Sequence, residues 1–164
     1  MNKLYILSIV LLFTGVGCVP QNPTVIQNSP TDSPTKTIQQ SVVLDYSHQN
    51  LTTVPQNIFS QTTTQELDLS FNQLTGALPS QINQLKNLTV LKANNNQFTG
   101  VPAEIGQLPK LEVLDLSNNQ LTGLPYELGN LSNLKLLDLS GNNISSIDLE
   151  HIRAELPAQT EIRL

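Results

Sequence analysis

Leucines fall at 108, 111, 114, 116, 121 and 124 of LPKLEVLDLSNNQLTGLP, a spacing that sustains neither a helical period nor a strand alternation. The spacing makes sense once it is seen to recur. LDYSHQNL starts at Leu44, LDLSFNQL at Leu67, LKANNNQF at Leu91, LDLSNNQL at Leu114 and LDLSGNNI at Leu137, giving steps of 23, 24, 23 and 23 residues. The one extra residue is Ala77, in LTGALP where the next unit has FTGVP. Within a unit, Leu114 and Leu116 alternate as on a short strand, the chain turns, and Leu121 returns to the same side. One such unit cannot bury its own apolar edge, so the pattern predicts coils that stack side by side around a shared core.

The other half of each unit repeats as LPSQINQLKNL, VPAEIGQLPKL and LPYELGNLSNL. Pro79, Pro102 and Pro125 suit the first turn of a short helix. Ile105, Leu108 and Leu111 are spaced to face inward together, and Gly106 and Gly129 stop a longer helix. The first unit is weaker: Gln61 and Thr64 stand where the others have leucine, with Phe59 as a filler. Near the end, Ser145 precedes Asp148 by three residues, an N-cap signature. Leu149, Ile152 and Leu156 share one helix face, and Ile162 and Leu164 then give a last short strand. This ending is expected to cap the stack.

Asn119 interrupts the apolar run where the strand gives way to a turn. Backbone groups there lack ladder partners, and leaving one unpaired costs about 1–3 kcal/mol. A carboxamide both donates and accepts, so it can satisfy them.

These five units resemble the leucine-rich repeat family, whose pattern is LxxLxLxxNxL, over residues 42–164. The resemblance implies an α/β fold: a right-handed leucine-rich repeat solenoid forming a short arc, with parallel strands on the concave side, short helical turns on the convex side, and a disordered N-terminal tether. It implies that Asn72, Asn96, Asn119 and Asn142 form an inward structural ladder, with Gln49 in that place in the first unit. Extracellular vertebrate and plant members usually cap with disulfides. This chain has one cysteine and can form none internally, which favours a bacterial source.

The repeat step sorts the outward strand residues into rows. One row is Val43, Glu66, Val90, Val113, Leu136 and Glu161, and the next is Asp45, Asp68, Lys92, Asp115, Asp138 and Arg163. A third is Ser47, Ser70, Asn94, Ser117 and Ser140, and a fourth is His48, Phe71, Asn95, Asn118 and Gly141. Lys92 is expected to relieve repulsion between Asp68 and Asp115 on its two sides. Because LDLS is the family's common wording, the Asp and Ser rows can be read as mere solvation. Departures from it at His48, Phe71, Val90, Lys92, Val113 and Leu136 mark a candidate partner face, which also takes in Glu66, Asp68, Asn95, Asp115, Asn118 and Asp138, with Phe71, Val90 and Val113 as anchors. His48, Asp45, Asp68 and Ser70 nominally supply triad parts, but Ser and Asp recur in nearly every unit and no GxSxG is present. His151, on the C-terminal helix, is expected to be solvated. No enzyme, cofactor or metal site is expected.

Outside the repeats, Lys3 precedes an apolar run from Leu4 to Phe13, about half the roughly 20 residues a spanning helix needs. That length suits a signal peptide over residues 1–17. Gly15-Val16-Gly17-Cys18 resembles the lipobox of bacterial lipoproteins, which implies a lipid on Cys18 and anchoring to a membrane at the cell envelope. An ordinary secretory signal with an incidental cysteine is the plainer alternative. Residues 18–41, rich in Pro, Thr, Ser and Gln, lack an apolar face and read as a linker. The 13% charged residues and net charge of −5 leave no basic patch for nucleic acid. The sequence therefore predicts a single-copy, lipid-anchored binding module with a protein or peptide ligand. A surface adhesion component, or an intracellular scaffold if the signal stays uncut, remains the alternative.

Overall fold

The computed structural model describes residues 41–164. The expected signal peptide, the lipid site at Cys18 and all of the linker except Ser41 lie outside the described residues.

Six three-residue strands form one parallel sheet: β1 (Val43–Asp45), β2 (Glu66–Asp68), β4 (Val90–Lys92), β6 (Val113–Asp115), β7 (Leu136–Asp138) and β8 (Glu161–Arg163), in the order β1-β2-β4-β6-β7-β8. Leu44, Leu67, Leu91, Leu114, Leu137 and Ile162 lie side by side in register. Register and repeat step are thus the same quantity, and each coil contributes one strand.

Each coil also supplies the same set of inward residues. Leu114, Leu116, Leu121, Ile105, Leu108 and Leu111 are all buried, as are their counterparts in the neighbouring coils except Ile144, which is partly buried. Burying each such side chain is worth about 1.5–3 kcal/mol. One coil carries a compensated pair, the small Ala93 and the large Phe98, both buried where its neighbours have leucine. In the first coil Phe59 is buried. So is Thr64, whose hydroxyl donates to the Gln61 carbonyl at 2.7 Å and so is satisfied locally.

The helical turns are 3₁₀, at Gln56–Ser60, Ser80–Gln84, Ala103–Gln107 and Tyr126–Asn130. Each proline sits one place before the helix rather than in its first turn. There its carbonyl accepts the first i+3 bond, as Pro102 does from the Ile105 N–H at 3.2 Å. The glycines act between coils as well as along the chain. A Cβ on Gly106 would lie 2.1 Å from the Glu127 carbonyl oxygen, so only glycine lets these two turns pack. Gly129 makes the same allowance for Glu155, on the C-terminal helix.

Three features depart from the sequence reading. The Thr-Gly segments form a second, two-stranded parallel sheet, β3 (Thr75–Ala77) with β5 (Gln97–Gly100), whose register shifts at Gly76/Ala77, where the extra residue lies. Helix α1 (Ser146–Glu155) follows Ser145, but no side-chain capping bond forms; Asp148 instead accepts from the Leu124 N–H at 3.2 Å, tying the helix to the preceding coil. Leu164 lies beyond β8 and is 65% exposed, so Ile162 alone carries the inward position there.

The asparagines close each turn. Asn119 Oδ1 accepts from the Phe98 N–H at 2.9 Å, while its Nδ2 donates to the carbonyls of Ala93 and Leu116, both at 3.0 Å, and of Ser117 at 3.2 Å. Asn72, Asn96 and Asn142 likewise bond to their own coil and the one before it. Gln49 is exposed and reaches only the Asp45 carbonyl, at 3.4 Å. Asn119→Ala strands several buried backbone groups at once and should cost about 2–4 kcal/mol in urea unfolding. A loss under about 0.5 kcal/mol would mean that those groups find other partners.

Candidate binding face

The register sets the first two predicted rows across the sheet, from Val43 to Glu161 and from Asp45 to Arg163. Val90, Val113 and Leu136 are half-buried in the first row, beside the half-buried Glu66. Six carboxylates (Asp45, Glu66, Asp68, Asp115, Asp138 and Glu161) share these rows with two cations, Lys92 and Arg163.

The serine row does not face solvent as an outward column. Ser70 and Ser117 are buried. In each of three coils one aspartate oxygen accepts from both the backbone N–H and the hydroxyl of the serine two residues on: Asp68 from Ser70, Asp115 from Ser117 and Asp138 from Ser140. These are turns closed by a side chain. They consume one oxygen of each carboxylate and leave the other for the surface. In the first coil the Ser47 N–H donates to Asp45 at 2.9 Å. That bond is the main reason the Asp45 carboxyl is held below its ordinary 3.8, against a smaller opposing effect of desolvation. The stabilisation it gives is present at neutral pH and is lost as pH falls through the lowered value.

Lys92 does not bridge Asp68 and Asp115. Its ammonium pairs with Glu66 and reaches Asp68 at 3.9 Å. The Glu66 bond is the main cause that raises its pKa above 10.5. Among the described residues Asp115 has no cation within salt-bridge distance, whereas Asp138 has Arg163 at 3.7 Å.

The fourth row holds what the sequence did not reveal: every member has left-handed backbone. His48, Phe71, Asn95 and Asn118 have φ of 55°, 54°, 54° and 52°, and Gly141 has 72°. Asparagine and glycine adopt this conformation readily, and a bulky residue does so only under strain. The signal was available in the Asn and Gly of LDLSNN and LDLSGN. The backbone N–H groups of His48, Phe71, Asn95 and Asn118 donate across to the next coil, Phe71 to Asn94 at 3.1 Å and Asn118 to Ser140 at 2.7 Å. Asn95 is half-buried and Asn118 is exposed; a Cβ on Gly141 would lie 2.5 Å from Asn118 Oδ1, so glycine makes room for that side chain.

Phe71 is 48% exposed and stacks on His48, with ring centroids 4.5 Å apart and planes 8° from parallel. The Ser70 hydroxyl donates to Asp68, so His48 meets an aromatic ring and not a nucleophile. His151 is exposed, as expected, and stacks on Tyr126 with centroids 4.2 Å apart.

Comparison with known proteins agrees with this geometry. Models of the leucine-rich repeat match residues 86–144 and 63–85. Among solved structures, a leucine-rich repeat protein of Leptospira interrogans is 46% identical with a TM-score of 0.64, covering 69% of this chain and 28% of its own. The leucine-rich repeat ectodomain of the receptor kinase SOBIR1 from Arabidopsis thaliana is 39% identical with a TM-score of 0.57, covering 63% of this chain and 57% of its own. The plant peptide hormone receptor RGFR1 in complex with RGF2 is 34% identical with a TM-score of 0.60, over 74% of this chain and 21% of its own. The chain thus spans less than two thirds of each. Among curated proteins none matches.

Left-handed strain at an exposed phenylalanine has no structural return apart from the His48 stack, and costs of order 1 kcal/mol. Phe71→Asn, which installs the residue type already found at 95 and 118, should leave stability in urea unchanged or raise it by up to about 1 kcal/mol. A loss of more than about 1 kcal/mol would make Phe71 a structural residue.

Proposed function

We propose that this chain, a leucine-rich repeat protein, is a non-catalytic binding module that takes a protein or peptide segment across its sheet face, on the concave side, at the bacterial cell envelope. The observation that carries the reading is Phe71: an aromatic ring, half exposed, on strained backbone and stacked on His48. Strain retained at an exposed side chain points to function rather than packing. Aromatics are also the side chains that dominate binding energy at interfaces. The half-buried Val90, Val113 and Leu136 form a separate apolar strip from coil to coil, and the charged row of Lys92, Asp115 and Asp138 lies between that row and the row of Phe71. Asn95 and Asn118 continue the row of Phe71. Similarity to a peptide hormone receptor solved as a complex supports a ligand of this class. A face held by a stack of coils is formed before the ligand arrives, so little ordering entropy is lost on binding.

The lipobox-like sequence ending at Cys18 supports anchoring, with the mature protein facing the periplasm or the exterior and the linker holding the repeats off the membrane. Stable attachment takes more than one acyl chain, because a single chain binds only marginally.

Two measurements test this. Peptides selected by display against the full chain should bind Phe71→Asn at least about 30-fold more weakly in calorimetry, the loss expected of a central aromatic. Equal affinity would remove Phe71 as the anchor. Mass spectrometry of the mature N-terminus should find a lipid-modified Cys18, whereas a chain that retains Met1 would place the module elsewhere.

A further inference from the structure

Charge on the sheet face is unevenly compensated. Its first two rows hold six carboxylates and two cations, and both cations are engaged within the chain. Lys92 pairs with Glu66 and reaches Asp68 at 3.9 Å, so its ammonium turns toward the coil of Phe71 and away from Asp115. Arg163 pairs with Glu161 at 2.7 Å and with Asp138 at 3.7 Å. Among the described residues, Asp45 and Asp115 have no cation within salt-bridge distance. An anionic ligand therefore meets no free cation in these described rows, whereas a cationic one meets two free carboxylates.

Asp115 differs from Asp45 in its surroundings. It is half-buried on the fourth of the six strands, whereas Asp45 is exposed on the first. Asp115 Oδ1 accepts from the Ser117 N–H at 3.0 Å and from the Ser117 hydroxyl at 2.7 Å. The turn thus orients the carboxylate, and Oδ2 is left without a hydrogen-bond partner among the described residues. Val113 lies two residues back on the same face of the strand, with Val90 and Leu136 in register beside it. A fixed acceptor next to an aliphatic strip suits an amphipathic cation. The stem of a Lys or Arg covers the strip while its head meets the carboxylate.

We propose that the ligand of this face is a basic peptide segment, which sets an apolar side chain against Phe71 and a Lys or Arg against Asp115. This rests on the sheet face being the peptide-binding surface. The coils of Phe71 and Asp115 are two steps apart, about 10 Å along the stack at the usual strand spacing. An extended chain rises about 3.3 Å per residue. The two rows are also offset across the face, so the two ligand side chains are three or four residues apart. Complementary charge gives specificity more than raw affinity. Phe71 accordingly supplies the anchor, and Asp115 selects which segment is held and in what register.

The probe is a set of peptides selected from a random display library on the full chain. They should carry a Lys or Arg three or four residues from an apolar residue. Changing that Lys or Arg to Gln should weaken calorimetric binding to the wild type about tenfold, a readout that needs no altered protein. Asp115→Asn should weaken the parent peptide by the same factor, its carboxamide oxygen still able to accept from Ser117. The Gln peptide should bind the wild type and Asp115→Asn alike. Selected peptides without a basic residue, a Gln peptide as tight as its parent, or an Asp115→Asn variant that holds the parent peptide as tightly as the wild type would each overturn the proposal. If such peptides still lose affinity at Phe71→Asn, the binding face itself stands. Peptides indifferent to Phe71→Asn as well would remove both.

Discussion

Turning a backbone sharply inside an apolar stack is the constraint that everything else in this fold answers to. A coil of 23 residues has to leave its strand, cross the core and return, and the peptide groups at the bend cannot reach water. Asn119 and its counterparts are the answer in this chain. One carboxamide accepts from the coil before it while donating to carbonyls of both coils. The same side chain therefore satisfies the bend and sets the distance between coils. Leucine contacts alone are non-directional and would tolerate a slipped register; the directional amide bonds do not.

That fixed spacing has a consequence for the surface. Once the asparagine takes its place, the residue just before it is driven into left-handed backbone and its N–H is carried across to the next coil. This happens at Phe71, Asn95 and Asn118; His48 follows the same course before Gln49, and Gly141 shares the left-handed backbone without the cross-coil bond. The bend thus dictates a row of exposed side chains on rigid, slightly strained backbone. Asn and Gly fill that row at low cost. A phenylalanine there is costly, and the core gives no reason for it, because the ring faces away from it.

The repeat step made the fold legible because, in a stack of coils, sequence period, strand register and the inward row are one quantity. The leucines, the position of the strands and the membership of each outward row follow from counting. What counting could not supply were features set by contacts between coils. Gly106 looks like a helix breaker along the chain, but the Glu127 carbonyl of the next coil is what forbids a side chain there. Asp148 has the spacing of a capping residue, yet it bonds to Leu124 in the previous coil. The serine after each aspartate reads as a polar surface residue, because its hydrogen bonds to that aspartate depend on turn geometry and not on composition. Phe71 stood out as a departure from the common wording, but its strain was hidden, since φ has no signature in one sequence unless the neighbouring repeats are read for Asn and Gly.

The position of Phe71 links stability to the surface in a way that neither explains alone. Stability in a stack is a sum of coil and interface terms, and the first coil is the weakest contributor. It has Gln49 in place of the bridging asparagine, Thr64 in place of a core leucine, and a β1 edge that no strand among the described residues pairs. Two interactions compensate at its inner side. Asn72 accepts from the backbone N–H groups of both Gln49 and Leu51, and Phe71 stacks on His48 of that coil. An aromatic pair of this kind is worth about 0.5–1.5 kcal/mol beyond burial, comparable to the left-handed cost of the phenylalanine. The ring is therefore held near energetic break-even between coils. A ligand that covered it, as proposed, would add burial to a contact already formed and would fasten the coil that the amide ladder holds least.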